Sequence, residues 1–213
     1  MASKLNVNPT RMELLRLRRR LAVAVRGHKL LKDKLEGLTK EFMELARQYK
    51  EYRNAVDDEL PGVLKLFVLA EITSSRQVTE HALQSTRQDL HLKVGSRRLM
   101  SVLIPTVEAS FGEPAGLYSF IQTSPELDGA IDSLKAFLPR LLRMAELEEA
   151  VRILSREIER TRRRVNALEH TFIPRMTETI RFINGKLDEM ERSNTSRLMK
   201  IKALRLAQEP DSL

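Results

Sequence analysis

The sequence predicts a mainly α fold, a long antiparallel two-helix coiled coil with a small β-hairpin and short helices in its middle region. Near the N-terminus an apolar seam recurs at steps of three and four through Leu14, Leu17, Leu21, Ala24, His28, Leu31, Leu35, Leu38, Phe42, Leu45, Tyr49, Tyr52 and Val56. A second seam runs near the C-terminus through Met144, Leu147, Val151, Leu154, Ile158, Thr161, Val165, Leu168 and Phe172, then Met176, Ile180, Ile183, Leu187, Met190 and Asn194. A seven-residue apolar repeat keeps one stripe facing a partner helix, whereas a lone amphipathic helix would follow 3.6 residues per turn. The composition agrees: 8 Gly, no Trp and 31% charged residues suit long helices better than a sandwich or barrel.

The first element is expected to span residues 1–60. Two starts compete: Asn8 before Pro9, a cap followed by proline at the first helical position, and Thr10 with Glu13, a capping box. His28 is the only strongly polar member of its seam and reads as a residue that fixes register. Gly27, inside the helix at a cost near 1 kcal/mol against alanine, marks either a close approach by a partner or simple tolerance.

Residues 61–126 form the middle region. Pro61 in "DELPG" either kinks or ends the first helix, and "VLKLFVLAEITSSRQVTEHAL" can resume it. Leu90, Leu92 and Val94 alternate with His91 and Lys93, and "LMSVLIPTVEASF" is rich in β-branched residues. This predicts a hairpin over 88–111 turning at Gly95 and Ser96. Glycines and prolines between Phe111 and Pro125 predict a loop, with the last helix starting at Ser124 or just after Pro125.

Residues 127–213 complete the pair as the C-terminal coiled-coil helix and a short tail. Two heptad helices separated by a segment of different character favour an antiparallel intramolecular hairpin. Pro174 interrupts the second helix, where its ring crowds the carbonyl of His170 and removes a donor at a cost of about 3 kcal/mol. The seam there lengthens to successive steps of four, Leu168, Phe172, Met176 and Ile180, which predicts a bend or change of twist near 170–180.

Arg18, Arg19 and Arg20 lie between seam residues Leu17 and Leu21, and Arg162, Arg163 and Arg164 lie between Thr161 and Val165. Both triplets occupy positions that point sideways and outward. They read either as a solvated face, helped by Glu157 and Glu159 near Arg160 to Arg163, or as two basic bands that meet acidic loops or phosphates. The expected axial separation is very roughly 40 Å.

Nothing in the sequence points to catalysis or a cofactor. The only Gly-Lys pair, Gly185 and Lys186, has Ile180 where a phosphate loop needs glycine. His28, His81, His91 and His170 never pair at i, i+4 to aim at one zinc, and no serine lies in a GxSxG setting. Absence of cysteine excludes disulfides and thiolate metal sites. The most apolar window, 63–72, is too short to span a bilayer and contains Lys65, so the chain is expected to be soluble. A net charge of +8 is compatible with nucleic acid, a membrane surface or an acidic protein. Nucleic acid is disfavoured, since exposed aromatics for stacking are lacking and the basic residues are interleaved with the seam.

"LNVNPTRMELLRLRRRLAVAVRGHKLLKDK" at 5–34, "MSVLIP" at 100–105 and "EIERTRRRVNALEHTFIPRMTETIRFINGKLDEMERSNTSRLMKIK" at 157–202 resemble the D subunit of V-type and A-type rotary ATPases and ATP synthases, especially bacterial forms. The resemblance implies a non-catalytic central rotor stalk that passes torque between ATP synthesis or hydrolysis and proton or sodium ion transport. It implies as partners the hexamer of catalytic A and non-catalytic B subunits, the F subunit of the stalk bound to its side, and a funnel-shaped subunit linking it to the membrane rotor ring. The expected address is the cytoplasmic face of the cell membrane, as a peripheral subunit. On this reading Arg18 to Arg20, Gly27 and Arg162 to Arg164 contact partners and Pro174 bends the shaft. The alternatives are a basic coiled-coil nucleic-acid-binding protein or a stalk of an export apparatus.

Overall fold

The computed structural model describes residues 5–85, 87–115 and 123–208. Helix α1 spans Arg11–Ser74, α2 Arg76–Ser85, strand β1 Arg87–Leu99, β2 Val102–Ala115, α3 Pro125–Ala167 and α4 Ile173–Gln208, with one π-helical turn at Leu168–Phe172 between α3 and α4. The fold is mainly α, built from long antiparallel helices with one two-stranded sheet. The described residues divide into a terminal unit, 1–36 with 160–213, and a middle unit, 37–159.

Thr10 starts α1. Its hydroxyl accepts the Glu13 N–H at 3.2 Å and its carbonyl accepts the Leu14 N–H at 3.0 Å, while its own N–H is taken by the Asn8 carbonyl at 2.9 Å. The Glu13 carboxylate therefore has no Thr10 N–H to close the reciprocal half of a capping box. In the terminal unit Leu14 and Leu17 bury against Ile183, with Val7, Ile180 and Leu187 around them. Each seam residue named from Leu14 to Val56 is buried or half-buried except Tyr52, which is exposed.

In the middle unit, Leu38 and Leu45 of α1 interdigitate with Leu147, Ala150 and Leu154 of α3, and strand β2 adds Val102 and Ile104 to the same cluster. Further along, Val56 packs with Phe137 and Met144, and Glu59 pairs with Arg140. Residue numbers rise along α1 as they fall along α3, so this pair is antiparallel. A last cluster joins Ala70 of α1, Ala82 of α2 and Leu127 of α3.

Three sequence boundaries need correction. The first helix does not end near residue 60: α1 passes through Pro61 to Ser74. The bond lost at proline is offset because Leu60, Val63 and Phe67, on either side of it, all pack into the core. The hairpin turns at Met100 and Ser101, not at Gly95 and Ser96, because Leu99 pairs with Val102 while Gly95 lies within β1 opposite Thr106. Met100 takes the positive φ of 54° that a tight two-residue turn requires, and its side chain lies over Gly37, where α1 has no Cβ to meet it. Finally, β2 continues through Phe111 to Ala115, in place of the expected loop; residues 116–122 of that loop lie outside the described residues, as do 209–213 of the expected tail.

The last helix starts at Pro125, at its first helical position, after Ser124. The Ser124 N–H donates to the Ser74 hydroxyl at 2.9 Å and the Ser124 carbonyl accepts the Leu127 N–H at 3.0 Å. The buried Ser124 hydroxyl, short of full hydrogen-bond geometry, and the residue's own N–H hold the Glu126 carboxyl below the usual carboxylate range.

Between α1 and α2, Ser75 has φ of 81°. Its N–H closes α1 on the Glu71 carbonyl at 3.0 Å, and its carbonyl accepts both the backbone N–H and the hydroxyl of Thr79 at 3.1 Å. A left-handed residue at a helix end is usually glycine, because a Cβ there is strained. Ser75→Gly raises stability by about 0.5 to 1 kcal/mol after allowing for glycine's greater freedom when unfolded. Ser75→Ala gives no gain, and chemical denaturation of the two variants distinguishes them.

Candidate functional site: the outer faces of the terminal helix pair

The terminal unit is built from α1 up to Glu36 and the helical run from Arg160 onward. Arg11 pairs with Glu191, Arg18 donates to the Asn184 side-chain oxygen at 3.2 Å, and His28 Nε2 lies 3.3 Å from a Glu169 carboxylate oxygen. These three contacts fix the register: positions in α1 and on the returning helix sum to about 200 throughout. His28 thus does what its seam position suggests, joining the two helices through a polar contact.

All six triplet arginines are exposed. Arg18 is tied to Asn184, and Arg163 has an interaction within the chain. Arg19, Arg20, Arg162 and Arg164 have no ion pair among the described residues. The nearest of these contacts, His28 with Glu169, places Arg163 opposite a position near residue 34, about fifteen residues beyond the first triplet, so the bands lie about 22 Å apart along the axis. The sequence-based figure of very roughly 40 Å is too large, because spacing along a hairpin follows from register and not from distance to the chain ends.

Gly27 is half-buried, and a Cβ added there meets no atom within 4 Å. Within this chain nothing requires glycine. Gly27→Ala therefore raises the stability of the isolated chain by about 0.5 to 1 kcal/mol. If the same variant assembles poorly with its partners, a partner backbone comes within a methyl group of this position.

Pro174 is the second residue of α4, directly after the π-helical turn Leu168–Phe172, where the Ile173 N–H bonds the Leu168 carbonyl five residues back. A π turn is wider than an α turn, which moves the preceding carbonyl away from the proline ring. It also takes up one extra residue, the physical counterpart of the successive steps of four in the seam. Its consequence is that Phe172, expected on the seam, is 51% exposed. Beyond the turn the buried positions are Thr179 and Ile183.

Thr179 falls off the apolar seam, so periodicity alone misses it. Its hydroxyl donates to the Arg175 carbonyl at 2.7 Å and accepts the Leu5 N–H at 3.1 Å, so the segment before α1 folds back along α4. Val7 completes that contact. A threonine that satisfies its own hydroxyl within the helix can be buried, a signal that apolar periodicity does not register.

Beyond Glu191, the partner of Arg11 at the start of α1, α4 continues with every residue from 191 to 205 exposed. Leu198, Met199, Ile201 and Leu204 are uncovered there, interleaved with Arg192, Arg197, Lys200, Lys202 and Arg205. Among the described residues, no group of three or more His, Asp or Glu side chains has the arrangement of a metal site. What this segment presents is apolar and guanidinium surface carried on a helix.

The family profile for the D subunit of ATP synthase matches residues 13–203. The D subunit of the V-type ATP synthase of Acetivibrio thermocellus is 48% identical over 208 residues, 96% of this chain and 94% of that protein. The corresponding protein of Clostridium botulinum (strain Langeland) is 46% identical over 206 residues, covering 94% and 95%. That of Thermoanaerobacter sp. (strain X514) is 46% identical over 202 residues, covering 94% and 97%.

Proposed function

The chain belongs to the family of ATP synthase D subunits, central stalk components of the V-type ATP synthase, and we propose that it serves there as the non-catalytic shaft. Its work is mechanical, coupling ATP synthesis or hydrolysis to ion transport across the membrane by rotation. The partners proposed are the hexamer of catalytic A and non-catalytic B subunits around the terminal unit, the stalk's F subunit at its side, and a funnel-shaped subunit leading to the membrane rotor ring. No helix among the described residues is long and apolar enough to cross a membrane. The proposed position is peripheral, on the cytoplasmic face.

The observation that carries this reading is the 191–205 segment of α4. A solitary helix with four large apolar side chains uncovered is stable in water only where a partner covers it, and the family profile extends through that segment to residue 203. Guanidinium groups beside those side chains suit acidic loops of a surrounding subunit. Pro174 and the π turn before it lie on the same returning helix, placed to give the shaft unequal faces, so that rotation acts on one catalytic pocket at a time.

A tagged copy purified from its own cell at moderate salt tests the proposal. The expected result is stoichiometric recovery of ATP-hydrolysing and stalk subunits, with ATPase activity. In vesicles, a complex lacking this chain hydrolyses ATP without driving ion transport. Recovery of nucleic acid or an export apparatus in place of those subunits overturns it.

A further inference from the structure

The β1–β2 ribbon carries an apolar face that the described residues leave exposed. Side chains alternate across a strand, so the register sorts them into two faces. On one face Leu99, Val102 and Ile104, near the turn, pack into the cluster of the middle unit. Further from the turn that face becomes polar, with Lys93 3.9 Å from Glu108. The opposite face pairs Leu90 with Phe111, Leu92 with Ala109 and Val94 with Val107. Toward the turn Pro105 and Leu103 continue it on β2 alone, opposite Ser96 and Arg98 of β1.

Five large side chains on this face are exposed: Val94 at 69%, Leu103 at 56%, Leu92 at 49%, and Leu90 and Phe111 at 39% each. An isolated two-stranded ribbon is marginally stable in water, and a contiguous apolar face on one is a contact surface. Surface noise does not place Leu90, Leu92 and Val94 of one strand opposite Phe111, Ala109 and Val107 of the other. The pattern is also inverted relative to what the chain alone needs, since the polar side chains cluster on the face that elsewhere meets the core.

We propose that this face receives one amphipathic helix of another subunit of the same complex, an inference that rests on the stalk reading above. Two strands about 4.8 Å apart give an apolar strip about as wide as the apolar stripe of a single helix, and too narrow for a second sheet layer. From Leu90 and Phe111 to Val94 and Val107 the strip is two strands wide and about 13 Å long at 3.3 Å per residue, which matches a helix of about two and a half turns. Charge sets the direction. Arg98, paired with Leu103 on this face, stands exposed at the turn end and Asp89 at the far end. The negative C-terminal end of the helix, with its acidic side chains, therefore lies at Arg98 and its positive N-terminal end at Asp89.

The absence of native cysteine makes a direct test simple. Val94→Cys on the apolar face and Lys93→Cys on the polar face are each labelled with a benzophenone maleimide on the isolated chain, which is then assembled with the other subunits and illuminated. The expected product joins position 94, and not position 93, to a helical segment of another subunit with apolar residues at steps of three and four. In addition, Val94→Glu reduces co-assembly of that subunit at least ten-fold while the circular dichroism of the isolated chain is unchanged. Cross-linking of position 94 to a second copy of this chain, to a non-helical segment, or equally from both positions overturns the inference. So does the lack of any product from position 94 in a complex that retains ATPase activity. Failure of the chain to purify with ATP-hydrolysing subunits at all instead removes the stalk reading on which it rests.

Discussion

Truncating Leu154 to alanine lowers the stability of the middle unit by about 3 kcal/mol, a shift readable as a lower urea midpoint with an unchanged slope. Leu154 is fully buried in the cluster that joins Leu38 and Leu45 of α1 to α3 and to Val102 and Ile104 of the hairpin. Three elements meet at this side chain, so none can move into the vacancy without losing contact with another. The cost then includes a cavity as well as the lost transfer of the methyl groups. Leu154→Met keeps the volume and costs less than about 1.5 kcal/mol. At Leu30, 70% exposed, the same truncation to alanine changes stability by less than about 0.5 kcal/mol. Equal effects at Leu154 and Leu30 are incompatible with the packing described.

The contrast between those two leucines also shows what is legible in a sequence. Leu38, Leu45, Leu147 and Leu154 fall on heptad seams, and a period held over many turns identifies both helices and their mutual face. The start at Thr10 is one of the two that compete in the sequence, and the start after Ser124 is one of the two expected there; a local hydrogen-bonding rule acting on neighbours offers each without choosing it. The errors occur where a distant contact overrides a local preference. Gly95 and Ser96 are good turn residues, yet the hairpin turns at Met100, because Val102 and Ile104 then reach the helix pair and Met100 finds the space over Gly37. Pro61 is a helix breaker, yet the half-buried Leu60 and Val63 on either side of it pack against Val56, Phe137 and Met144.

For the functional surface the limits differ. The arginine triplets are visible as runs, but their spacing of about 22 Å depends on a register that only the pairs Arg18–Asn184 and His28–Glu169 reveal. Pro174 announces a disturbance without saying of what kind. The π turn before it is one solution among several to the same steric conflict, and the exposure of Phe172 follows from that choice. The apolar face of the hairpin is equally hidden: Leu90, Leu92 and Val94 alternate in the sequence as core residues do, and only the pairing and their exposure show that they lie outside the core clusters of the described residues.

Charge reversal in the arginine bands has the larger expected effect on assembly. Arg19→Glu with Arg20→Glu, and Arg162→Glu with Arg164→Glu, each change four exposed charge units while sparing Arg18 and Arg163, which have contacts within the chain. Folding is therefore preserved, and thermal unfolding of the isolated chain moves little. In the proposed complex the same groups face acidic loops across a contact that excludes part of the solvent. Replacing attraction by repulsion there costs at least about 1.4 kcal/mol, or ten-fold in the dissociation constant. A contact of this kind is screened, so the deficit narrows as salt rises from low to physiological concentration. Lys40→Glu with Lys50→Glu makes the same change of net charge at exposed positions outside the bands. If that control weakens assembly as much, the effect belongs to the overall charge of +8 and not to the bands. If both arginine pairs assemble and turn over like the wild type at every salt concentration, the triplets are a solvated face. Partner contact then falls to the apolar end of α4 and the hairpin.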